Sequence, residues 1–552
     1  MKTSIKMKKI YSIILGCVAG FALVSCSDDS YTSKYDDPSK TKVVSCDKVL
    51  TGVFKAGNTW LNPIYYRYYV QSTTSGMFSQ VIGSTNSRGR YMGAGTGYYN
   101  TRWQDFYDML SQYRLLEKTY NELDPGNQEL NKLYLIIGRS VMQQQLSEML
   151  SLFGSLPYSQ ASTLWYTGDY AGSKPAYDKD TDLYKTILDD LKDANNYLQT
   201  GNIKSSTIAQ LAIQDFVNKG DLTLWRKYIN SLRLRVALHL ASNGELAATA
   251  QAAIQEMLTD PDTYPMVDNN NEMTTVSPDN DKLNFQDEIN RAIENSSYNR
   301  ASGAMMRALN VSADGSYENA DPRLPVLYDP NPDDKYIGLD PSERLSDQDA
   351  NTSYIYQGST AKYYAALDTA TFTRNSGLPG LWMSAAEVSF GKAEAYAMGW
   401  AGSVNATKAK EAFIEGMIQS TDFYYQLNST GTYRKAISKP SDAVIRAYAE
   451  SQWNESNMQK CIITQKWVNF GMYNELEAWN CVRRTGYPEL QFKRDLTSVD
   501  TPIVPNRLKY ASDEVNYNTA NYNAATNNGS TDTWSAKLFW MKDTWYTEIA
   551  GE

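Results

Sequence analysis

Apolar residues recur every three to four positions in two blocks of this chain, and between the blocks that period vanishes. A period of 3.6 puts such residues on one face of a helix. The chain must therefore build helices on both sides of a long irregular interruption. In the first block Trp103, Phe106, Tyr107, Leu110 and Tyr113 share a face, and Asp124-Pro125-Gly126 predicts the stop. A second helix is predicted from about Gln128 to Phe153, through Leu130, Leu133, Tyr134, Ile137 and Val141. The cleanest stripe is Tyr184, Ile187, Leu188, Leu191 and Leu198, with Asp180 or Thr181 as its cap, and a fourth helix spans about Leu222 to Ala241. In the second block helices are predicted from Trp382 to Trp400, Asn405 to Ser420 and Asn457 to Cys481. Small residues in the first of these, such as Gly391 and Ala395, let helices approach closely.

Between the blocks, residues 258–375 are rich in Asp, Asn, Pro, Ser and Gly, which reads as long loops with short elements. Loops of that length inside an ordered domain usually carry function. The expected organisation from residue 43 onward is one mainly α domain. Its helical scaffold lies at about 100–245 and 378–490, an irregular insert at about 246–377, and an irregular C-terminal segment at 491–552.

The start of the chain has a different character. Lys2, Lys6, Lys8 and Lys9 precede an apolar run from Ile10 to Val24, the pattern of a secretory signal peptide over residues 1–25. The run is shorter than the roughly 18–20 residues that span a bilayer. It ends at Leu23-Val24-Ser25-Cys26, which resembles a bacterial lipobox and marks Cys26 for acylation. Two or three acyl chains hold a protein stably on a membrane. Residues 26–42 are polar and acidic at the start, a flexible tether with too little apolar surface to fold. Acidic residues directly after the lipidated cysteine look like the surface-export signal of Bacteroidetes lipoproteins.

Composition removes several functions. Without residues 1–25 the formal net charge falls from −9 to −13, because that segment carries four lysines and no acid. Nucleic-acid binding rests on basic patches and is disfavoured. His239 is the single histidine, so a multi-histidine metal site is impossible and a Ser-His-Asp triad could use only this residue. Its place beside a helical apolar stripe favours a packing role. Cys46, Cys461 and Cys481 remain after processing, with no metal-binding spacing; Cys461 and Cys481 could pair or stay as free thiols. No nucleophile motif is present, and no catalytic residue, metal ligand or cofactor site is predicted. Gly93, Gly95 and Gly97 lack the context of a phosphate loop and read as a turn before the first long helix.

Forty-one tyrosines and 12 tryptophans are many for a chain of 552 residues. Those that are not core would place broad aromatic faces on the surface, and the apolar faces of sugars stack on such faces. The densest early cluster is Trp60, Tyr65, Tyr66, Tyr68 and Tyr69. Read as a strand, it puts Tyr66 and Tyr68 on one face. Asn86 and Arg90 then offer amide and guanidinium donors beside Tyr91, and Tyr354 and Tyr356 belong to a second cluster in the insert. Tyr66, Tyr68, Asn86, Arg90, Tyr91, Tyr354 and Tyr356 are the candidate ligand contacts.

Several segments resemble one family in its own order. Gly154-Ser155-Leu156-Pro157-Tyr158-Ser159-Gln160-Ala161 looks like the turn after the second helix of SusD/RagB proteins. Ala320-Asp321-Pro322-Arg323-Leu324, Ala393-Glu394-Ala395-Tyr396 and Gln465-Lys466-Trp467 follow. The strongest stretch is Glu477-Ala478-Trp479-Asn480-Cys481-Val482-Arg483-Arg484-Thr485-Gly486-Tyr487-Pro488. The resemblance implies four tetratricopeptide-like helix hairpins with the insert packed on one side. It also implies a non-catalytic outer-membrane lipoprotein that binds a glycan and sits as a lid over a TonB-dependent transporter. Members of the family also bind peptides and other polymers, and a secreted glycoside hydrolase is the contrasting class. Pro157, Arg323, Trp479 and Arg484 are expected to be turns and packing, not ligand contacts.

Overall fold

The computed structural model describes residues 44–83, 91, 96–170, 173–278, 288–294, 299–343, 346–348, 355–356, 359–360 and 363–550. The signal peptide, Cys26, the tether, Asn86, Arg90 and Tyr354 lie outside these residues, and Tyr356 is placed only as strand backbone.

Both predicted helical blocks form. The helices used below are α1 (Cys46–Ala56), α2 (Tyr65–Gln71), α3 (Thr96–Asn121), α4 (Pro125–Phe153), α5 (Asp180–Thr200), α6 (Ser205–Gln214), α7 (Leu222–Leu240), α8 (Ala247–Thr259), α9 (Ala385–Ala397), α10 (Ala406–Thr430), α11 (Asp442–Gln452), α12 (Met458–Phe470), α13 (Glu475–Thr485), α14 (Ser512–Tyr517) and α15 (Thr519–Thr526). The main hairpins are α3–α4, α5–α7, α9–α10 and α12–α13, and α7 packs on α9 to join the halves. The α3–α4 turn follows from Asp124, whose carboxylate accepts from the Gly126 and Asn127 amides while Pro125 occupies the first helical position. Close approach in the second block depends on missing side chains. A Cβ on Gly416 would lie 2.9 Å from the Phe390 ring, and one on Gly391 would lie 2.9 Å from Leu238.

Several boundaries differ from the sequence reading. Helix α8 continues the scaffold to Thr259, into what was expected to be insert, because Ala250, Ala253, Ile254 and Met257 bury against α7. The predicted helix from Asn457 to Cys481 is two, broken where Gly471 adopts φ 42° and Asn474 caps α13 through the Glu477 amide. Helix α5 starts with Asp180 in its first turn and Lys179 at the cap, with no side-chain cap bond. Strand Thr274–Val276 pairs antiparallel with Gly380–Met383, so the insert is tied where it leaves and rejoins the scaffold. Near the C-terminus, Gln491–Lys493 pairs in parallel with Thr547–Ile549.

The core is aromatic as well as aliphatic, with Trp225, Trp382, Trp467, Trp479 and Trp540 fully buried. His239 sits within it, 2.6 Å from Glu477 and stacked on Trp540. Burial alone would raise the Glu477 carboxyl, but the charge and hydrogen bond of His239, with Arg235 and Lys466, hold it down at about 2. Cys46, Cys461 and Cys481 are free thiols, which settles the open pairing of the last two. Among the described residues no helix is long and apolar enough to cross a membrane, and no group of three or more His, Cys, Asp or Glu could hold a metal ion.

Candidate functional site: an aromatic cavity walled by the C-terminal segment

The expected strand at Tyr65–Tyr69 is helix α2. Its side chains therefore pair at i,i+4, with Tyr65 and Tyr69 stacked at 5.6 Å, and Tyr66 separates from Tyr68. Tyr66 is exposed, whereas Tyr68 is 1% exposed. Tyr91 is buried too, and its hydroxyl donates to the Lys493 carbonyl at 2.7 Å. Neither Tyr68 nor Tyr91 presents a ring face, which corrects both as stacking contacts. The cavity beside Tyr91 measures about 20 Å³, room for a water and not for a sugar.

It does assemble a site from residues that sequence spacing did not single out. A cavity of about 290 Å³ lies between the start of α3 and the C-terminal segment, lined by aromatic Tyr99, Tyr510, Tyr522 and Trp534 and by polar Asn100, Asp500, Thr501, Lys509, Ser512 and Asp532. Tyr99 enters on the first turn of α3, where it packs edge-on against Trp534 at 5.7 Å. Asn100, one residue on, exchanges hydrogen bonds with Ser512 at 2.7 and 3.1 Å and so ties α3 to α14.

The floor is fixed by internal bonds. Asp532 is buried and accepts from Arg507 at 2.9 Å, from the Tyr522 hydroxyl at 3.1 Å and from the Tyr510 amide at 3.2 Å. The Arg507 guanidinium also lies 4.4 Å from the centre of the Tyr510 ring. Burial, then the facing charge of Asp532, raises the Tyr522 hydroxyl, which stays a donor. Burial pushes the Tyr510 hydroxyl up to about 12, and it donates to the Ser155 carbonyl at 2.6 Å. Trp103, Phe153 and Tyr177 pack around Tyr510, so an aromatic cluster continues beneath the cavity.

The rim is different. Asp500, Lys509 and Ser512 are exposed, and Asp500 and Lys509 make no ion pair with any described residue. A floor of rings with an open polar rim suits a ligand that has apolar faces and hydroxyl edges. The available signal in the sequence was Tyr510, Tyr517, Tyr522 and Trp534 interleaved with Asn516, Asn518, Asn521 and Asn523. Its partners Tyr99 and Asn100 lie some 400 positions earlier, and only the fold joins them.

The motif residues are structural, as expected. Arg323 is fully buried and bonds Asp321, Ser420 and Gln465. Arg484 makes a two-point ion pair with Glu394 at 2.6 and 2.8 Å. Trp479 lies under the Arg483 guanidinium at 3.6 Å.

Comparison with known proteins agrees with this architecture. A chitin-binding protein superposes with a TM-score of 0.70 at 21% identity, covering 90% of this chain and 100% of its own. A SusD homolog from Parabacteroides distasonis gives 0.69 at 18% identity, over 92% and 99%. A chitin-binding SusD homolog from Flavobacterium johnsoniae gives 0.62 at 18% identity, over 90% and 99%. No curated protein matches in sequence. A family model described as starch-binding and associating with the outer membrane matches residues 51–511, and the chain belongs to this SusD-like family.

Proposed function

We propose that this protein captures a neutral glycan at the cell surface and passes it, chemically unaltered, to a TonB-dependent β-barrel transporter. The aromatic cavity carries the reading. Pyranose rings offer one apolar face for half-buried Trp534, which Tyr99 backs edge-on, and hydroxyls for Asn100, Asp500, Lys509 and Ser512. The family description and the chitin-binding relatives support a glycan, and a processed charge of −13 disfavours acidic polymers. Acylation at Cys26 supplies the anchor to the outer membrane, and the tether lets the domain move over a barrel. Tyr66, Asn86, Arg90, Tyr354 and Tyr356 are further candidate contacts, each to be tested by substitution.

Affinity electrophoresis through soluble starch, glycol chitin and other neutral polysaccharides tests the reading, with product analysis on each retarding gel. Retardation by at least one polymer, weakened in Trp534→Ala and without shortened products, is the expected result. Equal mobility in every gel, or release of oligosaccharides, overturns it. For the anchor, Cys26→Ala should abolish labelling by a palmitate analogue. For the partner, gentle solubilisation should co-purify a large β-barrel, and repeated recovery of the lone lipoprotein counts against a lid.

A further inference from the structure

Exposed aromatic rings are common singly and informative when several are held together. The turn from Gly154 to Asp178, between α4 and α5, carries three: Trp165 is 52% exposed, Tyr166 37% and Tyr170 81%. Its base is rigid. The Asp178 carboxylate accepts from the Tyr158 and Ser159 amides at 2.8 Å each, and Arg114 donates to the Tyr158 carbonyl at 2.7 Å and to the Ala161 carbonyl at 3.3 Å. On this base a single helical turn, Leu164–Thr167, buries none of its residues and ends at Gly168 with φ 65°. The Trp165 indole N–H donates to the Ser162 carbonyl at 3.1 Å, which fixes the ring. Tyr166 stands nearly perpendicular to it, at 74° with centroids 4.9 Å apart.

We propose that Trp165, Tyr166 and Tyr170 form a second saccharide platform, on which a polymer seated in the cavity continues along the surface. The proposal rests on the glycan reading above. Two observations favour a sugar over a protein contact. The neighbouring exposed groups are polar, Gln160, Thr167 and Asp169, whereas a protein hot spot lies in a ring of residues that excludes water. The turn is also bolted to the wall of the cavity. Tyr177 donates to Glu514 at 2.9 Å, Asn518 to the Pro175 carbonyl at 2.9 Å and Asn521 to the Lys174 carbonyl at 2.7 Å. Helices α14 and α15 thus border the cavity and support the turn. A long chain could engage both places, and the second contact would then act at a high effective concentration.

The test uses the mature protein with soluble starch and glycol chitin as polymers, and maltotriose and chitotriose as short probes. Trp165→Ala and, independently, the more exposed Tyr170→Ala should each weaken binding of the retarded polymer about five- to thirtyfold while leaving its trisaccharide unchanged. Trp534→Ala should weaken both. Two variants are used so that loss of folding in one, seen as a lowered Tm, does not decide the matter. If both loop variants bind polymer like wild type while Trp534→Ala is weakened, the platform is overturned and the cavity stands. If both instead keep polymer binding and lose a co-purifying barrel, the turn is a protein contact and the platform is overturned. If Trp534→Ala changes neither probe, the cavity reading fails first.

Discussion

The seam where α9 meets α7 and α13 and the cavity beside α14 both bury charge, and they treat it in opposite ways. At the seam two ion pairs are closed inside the protein. Arg484 meets Glu394 in two bonds, and Arg235 meets Glu387 in two more, with all four side chains at most 6% exposed. At the cavity the Asp532–Arg507 pair is consumed in this way, and Asp500 and Lys509 are left open to solvent. A charge paired in a dry interior shapes the fold, and breaking it leaves its partner stranded. A charge left at an aromatic rim is available to something that arrives. The difference separates residues that should govern stability from residues that should govern binding.

The strongest way to break that division is Arg484→Ala. It should cost about 3–5 kcal/mol in denaturant unfolding, because Glu394 is left buried without its partner. Replacing both members by apolar residues, Arg484→Met with Glu394→Leu, should recover much of the loss. If the single variant is as stable as wild type, the seam is not held by charge. Acid is the next probe. Glu477 has a carboxyl lowered to about 2 from an ordinary 4.5, so its contribution is complete above about 4.5 and disappears as pH falls through 2. That loss is on the order of 3 kcal/mol. Glu477→Gln should be less stable at pH 6, with the difference closing toward pH 2.

Two smaller effects sharpen the contrast. Glu475 is fully buried, accepts among the described residues only from Ser72, and is pushed well above the usual carboxylate range by burial. Its unfolded form ionises above about 4.5 while the folded form holds its proton, so this group penalises folding increasingly as pH rises past that value. Glu475→Gln should therefore raise Tm at pH 8 by about 1–2 °C and match wild type near pH 4. The smallest effect belongs to the rim. Lys509→Ala should weaken glycan binding only about two- to threefold, with Tm unchanged, because an exposed ammonium competes with water for each hydroxyl.

How much of this was legible depended on whether the signal was local. The Tyr184–Leu198 stripe predicted α5 because each residue of the stripe buries against neighbouring helices. Helix α11 gave no stripe, since it buries only Ile445 and Ala449. The break at Gly471 was hidden by apolar residues that keep helical spacing across it, and only a left-handed glycine marks it. Tyr65–Tyr69 misled because five large residues in a row, one of them Arg67, fit either period. Of the buried pairs of the seam, Arg484 was visible as a motif letter whose packing role came from resemblance, and Arg235 gave no signal at all. The cavity was not readable at all as a site, because its walls come from residues 99–100 and 500–534, and no window of sequence contains both.

The bonds around Asp532 have a consequence for timing. They set the floor of the cavity before any sugar arrives, so capture requires no slow rearrangement of that floor. Observed association rates should rise in proportion to sugar concentration without levelling off, and differences among glycans should appear in how long each stays. For a glycan-binding protein, a site that is always ready leaves residence time as the quantity that distinguishes one sugar from another.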